Sequence, residues 1–64
     1  MQDMWYRIDN AWHFLPVPGC VVAPWQGKWT AFMSNCIMPQ ISRSTASEDV
    51  KRAVWEYFDR RVEV

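Results

Sequence analysis

The chain has 64 residues, seven basic and seven acidic, and 50% are hydrophobic. A chain of this length forms one domain, residues 1–64. Its net charge is zero, so it has no excess of lysine and arginine, on which non-specific nucleic-acid binding rests. With no secretory signal and no apolar run near the roughly 20 residues that cross a bilayer, we expect a cytoplasmic protein with free thiols and no membrane contact.

The first predicted element is a β-hairpin that turns at Asp9-Asn10. Met4–Ile8 and Ala11–Leu15 are aromatic-rich runs on either side of this pair. Asp and Asn tolerate positive φ and suit a two-residue hairpin turn. The two prolines that follow cannot donate to a sheet ladder, so we expect them to end the second strand.

A second hairpin is predicted to join Cys20–Pro24 to Trp29–Ser34 through a turn at Gln26-Gly27. Side chains alternate between the two faces of a strand. One face then carries Cys20, Val22, Pro24, Trp29, Ala31 and Met33. The other face carries Val21, Ala23, Trp25, Lys28, Thr30, Phe32 and Ser34.

The two tryptophans of this hairpin are predicted to lie on opposite faces of the sheet. The face of Trp29 has no hydroxyl or charged side chain, so we expect the helix to cover it. The opposite face would remain open, and its Val21, Trp25 and Phe32 would form an apolar patch. Such patches tend to mark interaction surfaces.

The last third of the chain is predicted to be helical. A short strand is expected at Ile37–Ile41, and the run from Thr45 to Glu48 matches a capping box in which Thr45 caps the helix and Glu48 bonds back. Helical spacing of apolar residues predicts a helix over about residues 46–61. The predicted fold class is therefore α+β, an antiparallel sheet of three or four strands with one C-terminal helix packed on one face.

No catalytic, cofactor or metal site is predicted. His13, Cys20 and Cys36 lack the closely spaced ligand pairs of structural zinc sites. A Cys–His nucleophile pair requires a shaped cleft, and a domain of this size has little interior from which to form one. Cys20 also falls on the predicted core face, where a buried thiol is usually inert. We therefore expect no enzymatic activity, no cofactor and no bound metal.

The surplus of aromatic residues points to binding. Five Trp, two Tyr and three Phe are more rings than one helix on a small sheet is expected to cover. Trp and Tyr are enriched at binding hot spots. Trp55 falls at the edge of the helix's apolar stripe, and Trp25 and Phe32 fall on the open face. We predict that these three residues contact a larger protein partner, with a homodimer built from the same rings as the alternative.

The G-K-W-T-A run at residues 27–31, followed by a capped helix, resembles the three-stranded DNA-binding domains of phage integrases and plant ethylene-response factors. The resemblance covers roughly residues 20–60. Members of these families read the major groove from the sheet, largely with Arg and Trp. The matching strands here carry Lys28, Trp25 and Trp29 but no arginine.

This resemblance implies DNA binding as an alternative function. A DNA-binding version of the domain is expected to use Lys28, Arg43, Lys51 and Arg52, and its affinity should fall steeply with salt. In size and general make-up the chain also resembles small phage-encoded inhibitors such as anti-CRISPR proteins. That second resemblance implies binding to a larger protein without chemistry.

Overall fold

The structure is a computed structural model that describes residues 4–62, with side chains up to residue 59. Five antiparallel strands lie in the sheet in their sequence order, and one helix follows them. The elements are β1 (Trp5–Ile8), β2 (Ala11–Phe14), β3 (Cys20–Trp25), β4 (Lys28–Met33), β5 (Cys36–Ile37) and α1 (Ser47–Val62). The predicted α+β class is confirmed, with five strands where three or four were expected.

The first two hairpins turn where the sequence predicted. Asp9 has a φ of 56° in the β1–β2 turn, and Gln26 and Gly27 have φ values of 51° and 80° in the β3–β4 turn. Two successive residues with positive φ follow the right-handed twist of the flanking strands. The resulting register places Val22 opposite Ala31, as predicted.

The third hairpin accounts for the fifth strand. The chain turns at Ser34 and Asn35, with φ values of 52° and 69°, so β5 follows β4 directly. The strand expected at Ile37–Ile41 therefore starts one residue earlier and ends at Ile37. Beyond it the chain leaves the sheet, and Ile41 is buried in the core.

Helix α1 packs on the face of the sheet that holds Val22 and Ala31. It contacts β3 and β4. The buried apolar residues are Phe14, Cys20, Val22, Ala31, Met38, Ile41, Val50 and Val54. Trp29 is half-buried against this cluster, whereas Trp25 is exposed, so both tryptophans lie on the predicted faces. Within residues 4–62, no helix is long and apolar enough to span a bilayer.

The connector between β5 and α1 is pinned to the edge of β4. Ser44 and Trp29 exchange two backbone hydrogen bonds: the Trp29 N–H donates to the Ser44 carbonyl at 2.7 Å, and the Ser44 N–H donates to the Trp29 carbonyl at 3.1 Å. This isolated antiparallel bridge fixes where the connector crosses the sheet edge. It also fixes the residues on either side of Ser44.

The N-terminus of α1 differs from the predicted capping box. The hydroxyl of Ser44, not that of Thr45, makes the polar contacts: it accepts from the N–H of Ala46 at 3.1 Å and donates to the carboxylate of Asp49 at 3.2 Å. The cause is the bridge to β4, which places Ser44 beside the first turn of the helix. Helix α1 accordingly begins at Ser47, one residue later than expected.

Candidate functional site

The face of the sheet opposite α1, here called the open face, is crossed by directly opposed residues from all five strands. This cross-strand row consists of Tyr6, His13, Val21, Phe32 and Ile37, each opposite the next. The rings of Tyr6 and His13 stack, with centroids 5.3 Å apart. Opposed side chains on antiparallel strands have Cβ atoms about 4.5–5.5 Å apart. The row is therefore a continuous strip of side chains from one edge of the sheet to the other.

The open face exposes large apolar side chains. Five large apolar side chains are exposed among the described residues. Four of them lie on this face: Tyr6 at 45%, Ile8 at 48%, Trp25 at 38% and Ile37 at 39%. Phe32 is half-buried and lies outside the apolar cluster beneath α1. An apolar patch of this kind is a candidate interaction surface.

At one end of the open face, four residues form a unit that we call the Trp25 corner: Trp25, Lys28, Thr30 and Arg43. Lys28 is directly opposite Trp25 in the β3–β4 pairing. The Arg43 side chain comes from the connector, and its guanidinium lies 5.0 Å from the Trp25 ring centroid. Its Nε donates to the Thr30 hydroxyl at 3.0 Å, and its Nη2 donates to the carbonyl oxygens of Trp25 at 2.7 Å and Gln26 at 3.3 Å.

The described carboxylates lie away from the Trp25 corner. The two cations of the Trp25 corner form no ion pair with any described carboxylate, and the ion pair that the described residues do form joins Lys51 to Glu48. The carboxylates with described side chains lie in the β1–β2 turn or on α1: Asp9, Glu48, Asp49, Glu56 and Asp59. Although the net charge of the chain is zero, the formal charges that the described residues bring to the Trp25 corner are both positive.

Trp55 does not belong to the open face. It is half-buried on the helix side, packs against the core, and donates its Nε1–H to the sulfur of Met4 at 3.0 Å. The prediction grouped Trp55 with Trp25 and Phe32 as partner contacts, whereas the structure places its half-buried ring on the helix side, against Met4, and not on the open face. The structure thus brings Trp25 and Phe32 to one face and places Trp55 on the other side.

The four cations expected to bind nucleic acid also divide between the two sides. Lys28 and Arg43 belong to the Trp25 corner, whereas Lys51 and Arg52 lie on α1. Lys51 is not a free surface cation: its side chain is 13% exposed, and its Nζ lies 3.7 Å from the Trp12 ring centroid. Lys51 therefore serves the contact between α1 and β2.

The sequence analysis did not predict that the Arg43 side chain contacts the sheet. Thr30 lies on the open face, yet it is buried, at 0% exposure, and among the residues described it is the buried polar side chain. The Arg43 side chain reaches it because the bridge at Ser44 and Trp29 sets the next pair of positions, Arg43 and Thr30, side by side. A lone threonine among apolar strand residues was the one signal in the sequence that this position has a polar partner.

The two cysteines occupy different environments. Cys20 is buried beneath α1, and burial raises its thiol pKa from 9.0 to about 11. Cys36 is exposed on β5. The part of the chain that the structure describes has no group of three or more His, Cys, Asp or Glu side chains placed to hold a metal ion.

A small cleft lies between α1 and the chain around β1 and β2, away from the open face. Its volume is about 190 Å³, and its lining residues are Met4, Phe14, Pro16, Val17, Trp55, Phe58 and Asp59. Ligand pockets are typically larger and carry several convergent polar groups. The lining of this cleft has one ionisable side chain, Asp59, so the residues described supply no acid–base pair there.

Comparisons of the chain with protein-family models, with curated proteins and with solved structures found no match. The resemblance to β-sheet DNA-binding domains therefore stays a prediction. The features that bear on function are those of the open face: an apolar cross-strand row with a cationic corner at one end.

Proposed function

We propose that this chain is a non-enzymatic binding protein whose open sheet face occupies a surface on a larger protein. The cross-strand row carries the proposal. An antiparallel sheet covered on one side normally shows polar residues on its solvated side. Here that side presents Tyr6, Phe32 and Ile37 instead. A partner that covers them removes apolar surface from water, at roughly 25 cal/mol for each Å².

The proposed contact residues are Trp25 and Phe32, together with the exposed Tyr6 and Ile37 of the same face. Trp and Tyr in the middle of an interface are the residues whose truncation most often costs 2 kcal/mol or more. A loss of about 2 kcal/mol corresponds to roughly a thirtyfold weaker affinity. Trp55 is left out because it packs on the far side of the sheet.

The role that best fits such a surface is inhibition by covering a site on the partner. An inhibitor of this kind needs a preorganised surface and no reacting groups. Short strands joined by tight turns hold the open face in one shape, which lowers the ordering cost of binding. This role agrees with the chain's resemblance to phage-encoded inhibitors, including anti-CRISPR proteins.

A capture experiment with matched variants tests the proposal. The immobilised protein is exposed to a host-cell lysate treated with nuclease, and captured proteins are identified by mass spectrometry. We expect Ile37→Ser, on the cross-strand row, to lose the partner. Arg52→Ser changes an exposed side chain on α1, on the other side of the molecule, and should retain it. Equal capture by both variants contradicts the proposal.

A homodimer is the competing occupant of the same face. Light scattering on the purified protein distinguishes it, because the proposed function requires a monomer of 7.6 kDa at micromolar concentration. If the wild type has twice that mass and Ile37→Ser has the mass of a monomer, the open face binds a second copy of the chain.

DNA binding is the second candidate function, and the presence of both Lys28 and Arg43 at the Trp25 corner favours it. Each phosphate that a protein neutralises adds to the salt dependence of binding. Fluorescence anisotropy with a random-sequence DNA duplex at two salt concentrations tests this function. Tight, salt-sensitive binding that is lost in Lys28→Glu supports DNA as the partner.

A further inference from the structure

We infer that the partner's contact surface is acidic, with carboxylates that pair with Lys28 and Arg43 beside an apolar area that covers the cross-strand row. The inference rests on the proposed function of the open face and adds the chemistry of the partner. Its basis is the charge of the Trp25 corner.

The charge on Arg43 is held in place by hydrogen bonds and has no counter-charge among the described residues. A guanidinium has five N–H donors. Its acceptors here are the Thr30 hydroxyl and the carbonyl oxygens of Trp25 and Gln26, all of which are neutral. Both donors of Nη1 lack an acceptor among the described residues. A carboxylate carries the opposite charge and accepts strong hydrogen bonds from a guanidinium, so an incoming carboxylate supplies the counter-charge that these neutral partners do not.

The corner is also preorganised for binding. Stacking on Trp25 and the bond to Thr30 hold the Arg43 side chain, so it loses little rotamer freedom when a partner arrives. Arg and Trp are two of the residue types most enriched at hot spots. Lys28 is exposed and directly opposite Trp25 in the β3–β4 pairing, so it adds a second positive charge to the same end of the open face.

A protein surface fits this arrangement better than a nucleic acid. Tight phosphate binding draws on many Lys and Arg contacts, and the described strands place few formal cations on the open face. The neighbouring Phe32 and Ile37 require an apolar cover, which a phosphate backbone does not offer. Carboxylates beside apolar side chains satisfy both parts of the face.

A peptide selection tests the inference without knowledge of the natural partner. The probe is a library of short random peptides displayed on yeast and sorted for binding to the labelled wild-type protein. We expect the selected peptides to be enriched in Asp and Glu next to aromatic or branched aliphatic residues. Selected peptides with no acidic enrichment overturn the inference.

Two charge reversals then locate the contact. Lys28→Glu and Arg52→Glu make the same change in net charge at exposed positions, the first at the Trp25 corner and the second on α1. We expect Lys28→Glu to weaken the selected peptides by about tenfold at low salt and Arg52→Glu to leave them unchanged. Equal effects of the two variants overturn the inference, because the attraction is then general and not local.

The same peptides separate failure of this inference from failure of the proposed function. If the selected peptides bind Ile37→Ser more weakly but bind Lys28→Glu as tightly as the wild type, the open face is the binding surface and the acidic partner is overturned. Peptides that ignore Ile37→Ser contradict the proposed function itself. A random-sequence DNA duplex that binds more tightly than any selected peptide, and is released by Lys28→Glu, overturns the acidic partner in favour of a nucleic acid.

Discussion

The guanidinium of Arg43 lies over the indole of Trp25, 5.0 Å from the ring centroid, and donates through Nη2 to the carbonyl oxygen of the same residue at 2.7 Å. The same side chain covers Thr30, whose hydroxyl accepts from Arg43 Nε and donates to the Lys28 carbonyl at 3.2 Å. One residue of the connector thus links both strands of the second hairpin to the segment that leads into α1.

We expect Arg43→Ala to lower the free energy of unfolding by about 2 kcal/mol. The change removes a cation–π contact, takes away the donor to the Thr30 hydroxyl, which keeps its bond to the Lys28 carbonyl, and exposes that buried side chain to water. Arg43→Lys should recover less than half of the loss, because an ammonium cannot reproduce the fork of donors. The measurement is urea unfolding followed by far-UV circular dichroism.

Arg52→Ala is the matched control for this prediction, since the Arg52 side chain is exposed on α1 and makes no hydrogen bond to the described side chains. Its effect should stay within about 0.5 kcal/mol. If Arg43→Ala and Arg52→Ala unfold at the same urea concentration, the connector is not held by the Trp25 corner.

Lys51 gives a second test of stability, on the helix side. Its Nζ lies 3.7 Å from the Trp12 ring centroid, 5.8 Å from that of Trp5 and 3.4 Å from the Glu48 carboxylate. We expect Lys51→Met to lower the free energy of unfolding by about 1 kcal/mol, because the aliphatic stem is kept and the cation is lost. The same urea experiment measures it.

Glu48→Gln separates the two partners of Lys51. The Glu48 side chain is 77% exposed, so the ion pair is screened and should contribute at most about 0.5 kcal/mol. A larger loss in Glu48→Gln than in Lys51→Met contradicts a role for the rings of Trp5 and Trp12.

Local sequence signals accounted for most of the fold. The turns at Asp9 and at Gln26-Gly27 depend on the φ preferences of a few residues, and those preferences are visible in the sequence. Once the second turn is placed, the register of Val22 with Ala31 follows from alternation alone. The turn at Ser34-Asn35 was missed because Ser is a weaker turn signal than Gly.

The details of the site depended on contacts between residues far apart in the chain. Arg43 reaches Trp25 across 18 positions, and Trp55 reaches Met4 across 51. Long side chains such as Arg43 and Lys51 can adopt many rotamers, so the sequence does not show whether they point to solvent or to a ring. The sequence therefore predicts which residues lie on the open face, but it does not predict which residues Arg43 and Lys51 contact.

The two thiols should differ sharply in reactivity. At pH 8 we expect one fast-reacting thiol per folded chain with a disulfide reagent, and two in urea. The fast thiol should vanish in Cys36→Ala and persist in Cys20→Ala, because Cys36 is exposed and Cys20 is buried with its pKa raised to about 11. Two fast thiols in the folded wild-type chain contradict the burial of Cys20.

The raised pKa of Cys20 also has a consequence for stability at high pH. The unfolded chain releases this thiol proton near pH 9.0 and the folded chain near pH 11, so the unfolded state binds fewer protons between these values. Stability should therefore fall as pH rises from about 9 to about 11. The urea midpoint of Cys20→Ala, measured over this range, should fall less steeply than that of the wild type.

Phe32 and Trp55 allow the most direct test of which side of the molecule binds, because both are half-buried aromatics on opposite sides. We expect Trp55→Ala to lower the free energy of unfolding by about 2–3 kcal/mol, since its ring packs on the core and bonds to Met4. The folded fraction should bind the captured partner with wild-type affinity.

We expect Phe32→Ala to keep most of the stability and to weaken the affinity for the partner by roughly thirtyfold, the result of losing about 2 kcal/mol at a hot spot. Urea unfolding and titration calorimetry measure the two quantities separately. If Trp55→Ala weakens the partner while its unfolding midpoint stays at the wild-type value, the helix side is the contact surface and the open face is not.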